Sequence, residues 1–152
     1  MLKSLGYKPV ERELNALERF RYGWVLLFIY GFTLLAMVSS TQIAKYSIRR
    51  ARPDYLPHVR RMGKNLRKHE DGTFSMPSGD SAAAAVFCYW WAVAAGFPGI
   101  MAVLPLVCAG RVYYQCHWFG DTIFGSAIGL FWGQIFYVYM GIFIPLFRIV
   151  AN

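Results

Sequence analysis

Charge is what this sequence lacks over most of its length. No Asp, Glu, Lys or Arg occurs in residues 22–44, 81–110 or 122–147, and acidic residues are few, eight against sixteen basic ones. Uncharged runs of that length exclude an ordinary soluble domain, whose elements each keep a solvated face. With 152 residues, 57% of them hydrophobic and 18% aromatic, the chain has room for one domain of the membrane class. Its cysteines, Cys88, Cys108 and Cys116, make no even set and lie in or beside apolar runs, so no disulfide framework is read from them. The first twenty residues carry charges throughout and no apolar core, which argues against a cleaved leader. The first hydrophobic run is itself expected to direct insertion. A basic excess on so apolar a chain points to lipid headgroups or a phosphate, and no nucleic-acid partner is expected.

Residues 1–21 place Val10, Leu14, Leu17 and Phe20 at helical spacing, which predicts an amphipathic helix in the membrane interface, with a disordered tail as the alternative. Residues 22–44, at about 1.5 Å per residue, are long enough to cross a hydrocarbon core of about 30 Å. The run 81–110 is too long for one simple span and contains Gly96-Phe97-Pro98-Gly99, a strong breaker. It predicts a helical hairpin with spans 80–96 and 99–116. The last span is expected over 121–147, where Gly125, Gly129 and Gly133 form a small-residue stripe. Internal helix packing is the expected use of that stripe, and a homodimer face the alternative. The expected fold class is therefore an all-α, multi-pass integral membrane protein. It consists of a polar segment 1–21 and a domain 22–152, a compact bundle of about four transmembrane helices with a basic loop 45–78. In that topology the ends near Lys45, Asp80, Arg111 and Asp121 all lie on one side of the membrane. A single helix over 81–110 would send Asp80 and Arg111 to opposite sides.

On the shared side the sequence supplies Lys45, Arg49, Arg50 and Arg52-Pro53, then Pro77-Ser78-Gly79-Asp80, then Arg111, His117 and Asp121. Lys and Arg neutralise phosphate oxygens, and a guanidinium can bind two at once. Ser78 and the backbone N–H groups near Gly79 sit at a predicted helix start, where the dipole favours an anion. His117 and Asp121 are four residues apart, so within a helix the carboxylate would orient the imidazole and raise its basicity. Singly, each feature has a plain explanation: Ser78 as a helix cap, Lys45 as an orientation signal, His117 as a structural histidine. Their convergence beside four helix ends is what points to chemistry.

The spacing Lys45, six residues, Arg52-Pro53, then Pro77-Ser78-Gly79, then Arg111, five residues, His117, three residues, Asp121 resembles the tripartite signature of the type 2 phosphatidic acid phosphatase and vanadium haloperoxidase superfamily. The resemblance spans residues 45–121. It implies a metal-independent phosphatase that needs no cofactor and forms a phosphohistidine intermediate. By matching positions, His117 would be the nucleophile and Asp121 its orienting partner, with Lys45, Arg52, Ser78, Gly79 and Arg111 as the phosphate cradle. Two positions depart from the pattern. Gly110 stands where a serine is usual, and Asp80 stands where the family has the histidine that protonates the leaving oxygen. General acid catalysis is worth about two to four orders of magnitude, so Asp80 either cripples the enzyme or recasts its chemistry. The expectation is a preference for substrates whose leaving group needs little protonation, such as isoprenoid diphosphates, over phosphate monoesters. His58 and His69 in the basic loop are candidate substitute acids, or plain loop histidines.

The expected partners are thus a lipid phosphate or diphosphate substrate and the membrane itself. The rival reading is a catalytically silent relative that binds phospholipid or a membrane partner; Asp80 supports it, and the retention of His117 with Asp121 opposes it. Basic residues are more numerous on the motif side, which the positive-inside rule assigns to the cytosol. Relatives often place the site on the lumenal or outer face, so sidedness stays open, as does the choice between endoplasmic reticulum and plasma membrane.

Overall fold

In a computed structural model of the chain the described residues are 16–53, 74–94 and 96–150, with side chains described for 23–53, 74–93, 96–139 and 141. Residues 1–15 of the proposed interfacial segment, His58, His69 and most of the basic loop lie outside them. Among the described residues the secondary structure is entirely helical. Helix α1 spans Ala16–Ile48, α2 Gly79–Ala94, α3 Val103–Tyr113 and α4 Phe119–Val150, with a 3₁₀ turn at Pro98–Ala102 leading into α3. Residues 16–21 continue into α1 as one helix, so that part of the N-terminal segment is not a separate element.

Each boundary has a local cause. Helix α1 stops where Arg49 takes a left-handed φ of 51° and its N–H returns to the Lys45 carbonyl at 2.9 Å. Ser78 caps α2 by accepting from the Ser81 N–H at 3.3 Å. Helix α2 ends before Gly96, whose φ of +68° suits glycine, and Pro98 opens the following turn. This is the hairpin that the Gly-Phe-Pro-Gly breaker predicts. Asp121 accepts from the Trp118 N–H at 2.9 Å, a reciprocal cap that starts α4 at Phe119 rather than near residue 121.

The tightest packing joins α2 to α4 through the glycine stripe. A Cβ added at Gly125 or Gly129 would run into the backbone carbonyls of Ser78 or Ala82, and one at Gly133 would lie 2.9 Å from Tyr89 Cδ1. The stripe is thus covered by α2 of the same chain. Met37 of α1 with Ala82 and Val86 of α2 forms the buried core, flanked by Tyr30, Leu34, Ile128 and Trp132. Trp132 also donates to Ser40 Oγ at 2.9 Å, tying α4 to α1.

Helices α1 and α4, of 33 and 32 residues, each contain a segment long and apolar enough to cross a membrane, Gly23–Ile48 and Phe119–Tyr139. Both present large apolar side chains outward. Phe28 is 77% exposed and Phe32 66%. A continuous apolar surface of this kind is costly against water and ordinary against lipid. Between the two helices runs an apolar groove of about 1030 Å³, lined by Trp24, Phe28, Phe32, Trp132 and Tyr139.

Candidate active site

The polar residues gather at the other end of the bundle, where the C-terminal ends of α1 and α3 meet the N-terminal ends of α2 and α4. Cross-links between the connecting segments fix this end. Ser75 N–H donates to the Arg50 carbonyl at 2.8 Å, and Ser78 N–H to the Asp121 carbonyl at 2.9 Å. Arg52 donates to the Cys116 carbonyl at 2.8 Å. The Trp118 indole N–H reaches the Ala51 carbonyl at 3.0 Å, and the Arg50 guanidinium stacks 5.5 Å from the Trp118 ring centroid. The four helix ends therefore share one site, as the hairpin topology requires.

His117 lies at its centre, only 3% exposed, in the turn before α4. Its Nδ1 is 2.7 Å from the Ser75 carbonyl oxygen. A carbonyl only accepts, so Nδ1 carries the proton and Nε2 keeps its lone pair. Burial is the main cause that lowers the His117 pKa to about 4, helped by the charges of Arg52 and Arg111 and opposed by the Ser75 hydrogen bond and Asp121. At neutral pH the ring is uncharged.

Asp121 is fully buried and saturated with donors. Oδ1 takes Arg50 at 3.2 Å, while Oδ2 takes the Ser75 hydroxyl and the Trp118 N–H. The distance from His117 Nδ1 to Asp121 Oδ2 is 3.9 Å, too long for a hydrogen bond. The four-residue spacing suggests a shared helix face, but the helix begins only at Phe119, so the imidazole meets the Ser75 carbonyl instead. Ser75 was not legible as a site residue, since it sits in a loop without periodicity, and Arg50 stood only as one of several basic residues after a span, with no role of its own.

The anion-binding candidates separate into two groups. Lys45, Arg52 and Arg111 lie within one another's electrostatic reach, and Arg52 and Arg111 both act on His117. The Arg111 Nε is buried without a hydrogen-bond partner among the described residues. Ser78 is fully buried and committed to capping, its Oγ accepting from both the Ser81 N–H and the Ser81 hydroxyl. Gly79 opens α2 beside unfilled space, since a Cβ there would meet nothing within 4 Å. Asp80 forms an ion pair with Arg111 at 2.8 Å and stays largely exposed. Among the described residues no cluster of three or more His, Cys, Asp or Glu side chains is placed to hold a metal ion.

The guanidiniums of Arg52 and Arg111 thus act on a buried, neutral His117 at the end of the bundle where the three motif segments meet. The sequence profile of the PAP2 superfamily matches residues 24–144. The chain belongs to the PAP2 superfamily, the type 2 phosphatidic acid phosphatases. No curated protein and no solved structure matches it. Membership in this superfamily supports a phosphatase-type function, and all three motifs lie inside the matched region.

Proposed function

We propose that this PAP2 member is a multi-pass membrane phosphatase that hydrolyses a lipid phosphate or isoprenoid diphosphate through a phosphohistidine on His117. The observation that carries the reading is the His117 ring, neutral and buried, with its proton held on Nδ1 by Ser75 and its Nε2 lone pair left for phosphorus. Nε2 attacks phosphorus, the bond to the leaving oxygen breaks, and the phosphoryl group rests on the imidazole. Water then cleaves the phosphorus–nitrogen bond and returns the ring to its neutral state. Lys45, Arg52 and Arg111 neutralise the non-bridging oxygens in both steps. A phosphate oxygen would also satisfy the orphaned Arg111 Nε. At the start of α2, Gly79 leaves room for an anion to approach the helix N-terminus, while Ser78 supports it mainly as the cap.

Helices α2 and α3 complete the bundle as a hairpin within the bilayer, with Phe87, Trp91 and Leu106 turned outward. The phosphate group is then met at the membrane surface while its hydrocarbon tail stays in lipid.

The Asp80–Arg111 ion pair supports the diphosphate half of the proposal. The guanidinium of Arg111 engages the Asp80 carboxylate as a hydrogen-bond acceptor, which does not present it as a proton donor to a leaving group. A leaving group that departs unprotonated, as inorganic or organic phosphate does from a diphosphate, removes the need for one. The same ion pair favours the second reading, a silent phospholipid-binding relative, because Asp80 engages an arginine that the substrate needs.

Phosphate release by purified protein from farnesyl diphosphate and from phosphatidic acid, across pH, separates these cases. The proposal expects turnover of the diphosphate, lost in His117→Ala. A clear preference for phosphatidic acid at neutral pH would contradict the role given to Asp80. No release from any lipid phosphate by the wild type, with rescue by Asp80→His, would establish the silent reading.

A further inference from the structure

We infer that Ser75 is a positioning residue that stands between the Asp121 carboxylate and the His117 imidazole, so that Asp121 acts on the ring through Ser75 rather than by direct contact. The inference rests on the reading of His117 as the nucleophile. Ser75 is fully buried, and each of its polar groups is committed. Its N–H donates to the Arg50 carbonyl at 2.8 Å, its hydroxyl donates to Asp121 Oδ2, and its carbonyl accepts from His117 Nδ1 at 2.7 Å. Ser75 thus touches the segment after α1, the start of α4 and the His117 ring together.

The arrangement has a chemical consequence. A carboxylate hydrogen-bonded to Nδ1 favours the imidazolium, whose Nε2 is protonated and cannot attack. A neutral carbonyl fixes the same tautomer with a weaker pull on the proton. Ser75 supplies that carbonyl, and its hydroxyl, with the Trp118 N–H and Arg50, holds Asp121 3.9 Å from the ring. The charged groups that act on His117 are Arg52 beyond the end of α1, Arg111 of α3 and Asp121 of α4, while Lys45 at the end of α1 lies within reach of Arg52 and Arg111. Arg50 pairs with Asp121, and Asp80 of α2 pairs with Arg111. Of the acidic side chains among the described residues, Asp121, 3.9 Å away, is the one placed to capture Nδ1 once the Ser75 hydroxyl is gone.

The test is the ring titration of His117, followed by NMR on histidine-labelled full-length protein in detergent micelles and assigned by the signal that disappears in His117→Gln. In Ser75→Ala, Asp121 Oδ2 loses a donor and turns onto Nδ1. The midpoint is then expected to rise by roughly one pH unit or more above the wild-type value. Ser75→Thr, which keeps the hydroxyl, restores the wild-type midpoint. A folded Ser75→Ala protein that titrates as the wild type does would overturn the inference. Should Ser75→Ala fail to fold, Ser75→Cys, with a weaker donor of similar shape, is expected to show a smaller upward shift, and a wild-type titration there would overturn it equally. The readout needs no turnover. A shifted titration in a protein without activity would refute the phosphatase proposal and leave the positioning role standing, and an active enzyme with an unshifted titration would do the reverse.

Discussion

The nucleophilic role proposed for His117 needs a lone pair on one ring nitrogen, and a proton held on the other decides which nitrogen that is. In this chain the holder is a backbone carbonyl, and burial with two nearby guanidiniums keeps the ring neutral down to about pH 4. Activity is therefore expected to persist as pH falls through 6.5 and to fail only near pH 4, where Nε2 takes up a proton; kcat/KM against pH checks this. The same depression links to stability. Between the ordinary histidine value and about 4 the unfolded chain binds the proton that the folded chain refuses, so stability falls as pH falls through that window. His117→Gln removes the linkage, and its Tm is expected to depend less on pH over the same range than that of the wild type. That Lys45, Arg52, Arg111 and His117 come together at one end of the bundle was legible, because each sits at a motif position beside a helix end. Ser75 was not, since its role depends on three contacts from residues 25 or more positions away in sequence.

At the scale of elements, the contact between α2 and α4 sets the registry of the site. The stripe Gly125, Gly129 and Gly133 lets the helix backbones approach so closely that Ser78 N–H reaches the Asp121 carbonyl. Gly129→Ala would press a methyl group onto the Ala82 carbonyl and to 2.7 Å from Ala85 Cβ. Neither neighbour can swing away, so a loss of about 1–3 kcal/mol is expected in detergent-solubilised unfolding, together with reduced activity as Asp121 shifts. Gly141→Ala, where a Cβ meets nothing within 4 Å, serves as the control and is expected to be neutral or slightly stabilising. The hairpin at Gly96 to Gly99 and the packing stripe were both readable from sequence, because glycine and proline act locally and small residues recur at helical spacing. The start of α4 was not, since it depends on Asp121 reaching back to cap Trp118, and that cap moves His117 off the helix.

The whole molecule is a bundle with a polar end and an apolar flank. Uncharged runs in the sequence correspond to helices whose large apolar side chains face outward, and nearly all the described charged groups collect at the ends of those helices. The four ends at the site are expected to lie on one side of the bilayer and the 96–99 hairpin on the other. Single cysteines at Ile48, Phe119 and Phe97, all exposed, test this in a background without Cys88, Cys108 and Cys116. In sealed vesicles an impermeant thiol reagent is expected to label Ile48→Cys and Phe119→Cys from the same face and Phe97→Cys from the opposite one. Labelling of all three from one side would remove the membrane-spanning hairpin from the account.

Covalent catalysis by His117 is open to a direct experiment, trapping of the phosphorylated protein. Purified enzyme is mixed with a diphosphate substrate labelled at its terminal phosphorus, quenched in alkali, where phosphohistidine survives, and digested for mass spectrometry. One phosphorylated peptide carrying the label on His117 is expected, formed in the wild type and absent from His117→Gln. Turnover of the substrate by His117→Gln, or a label fixed on any other residue, would contradict it.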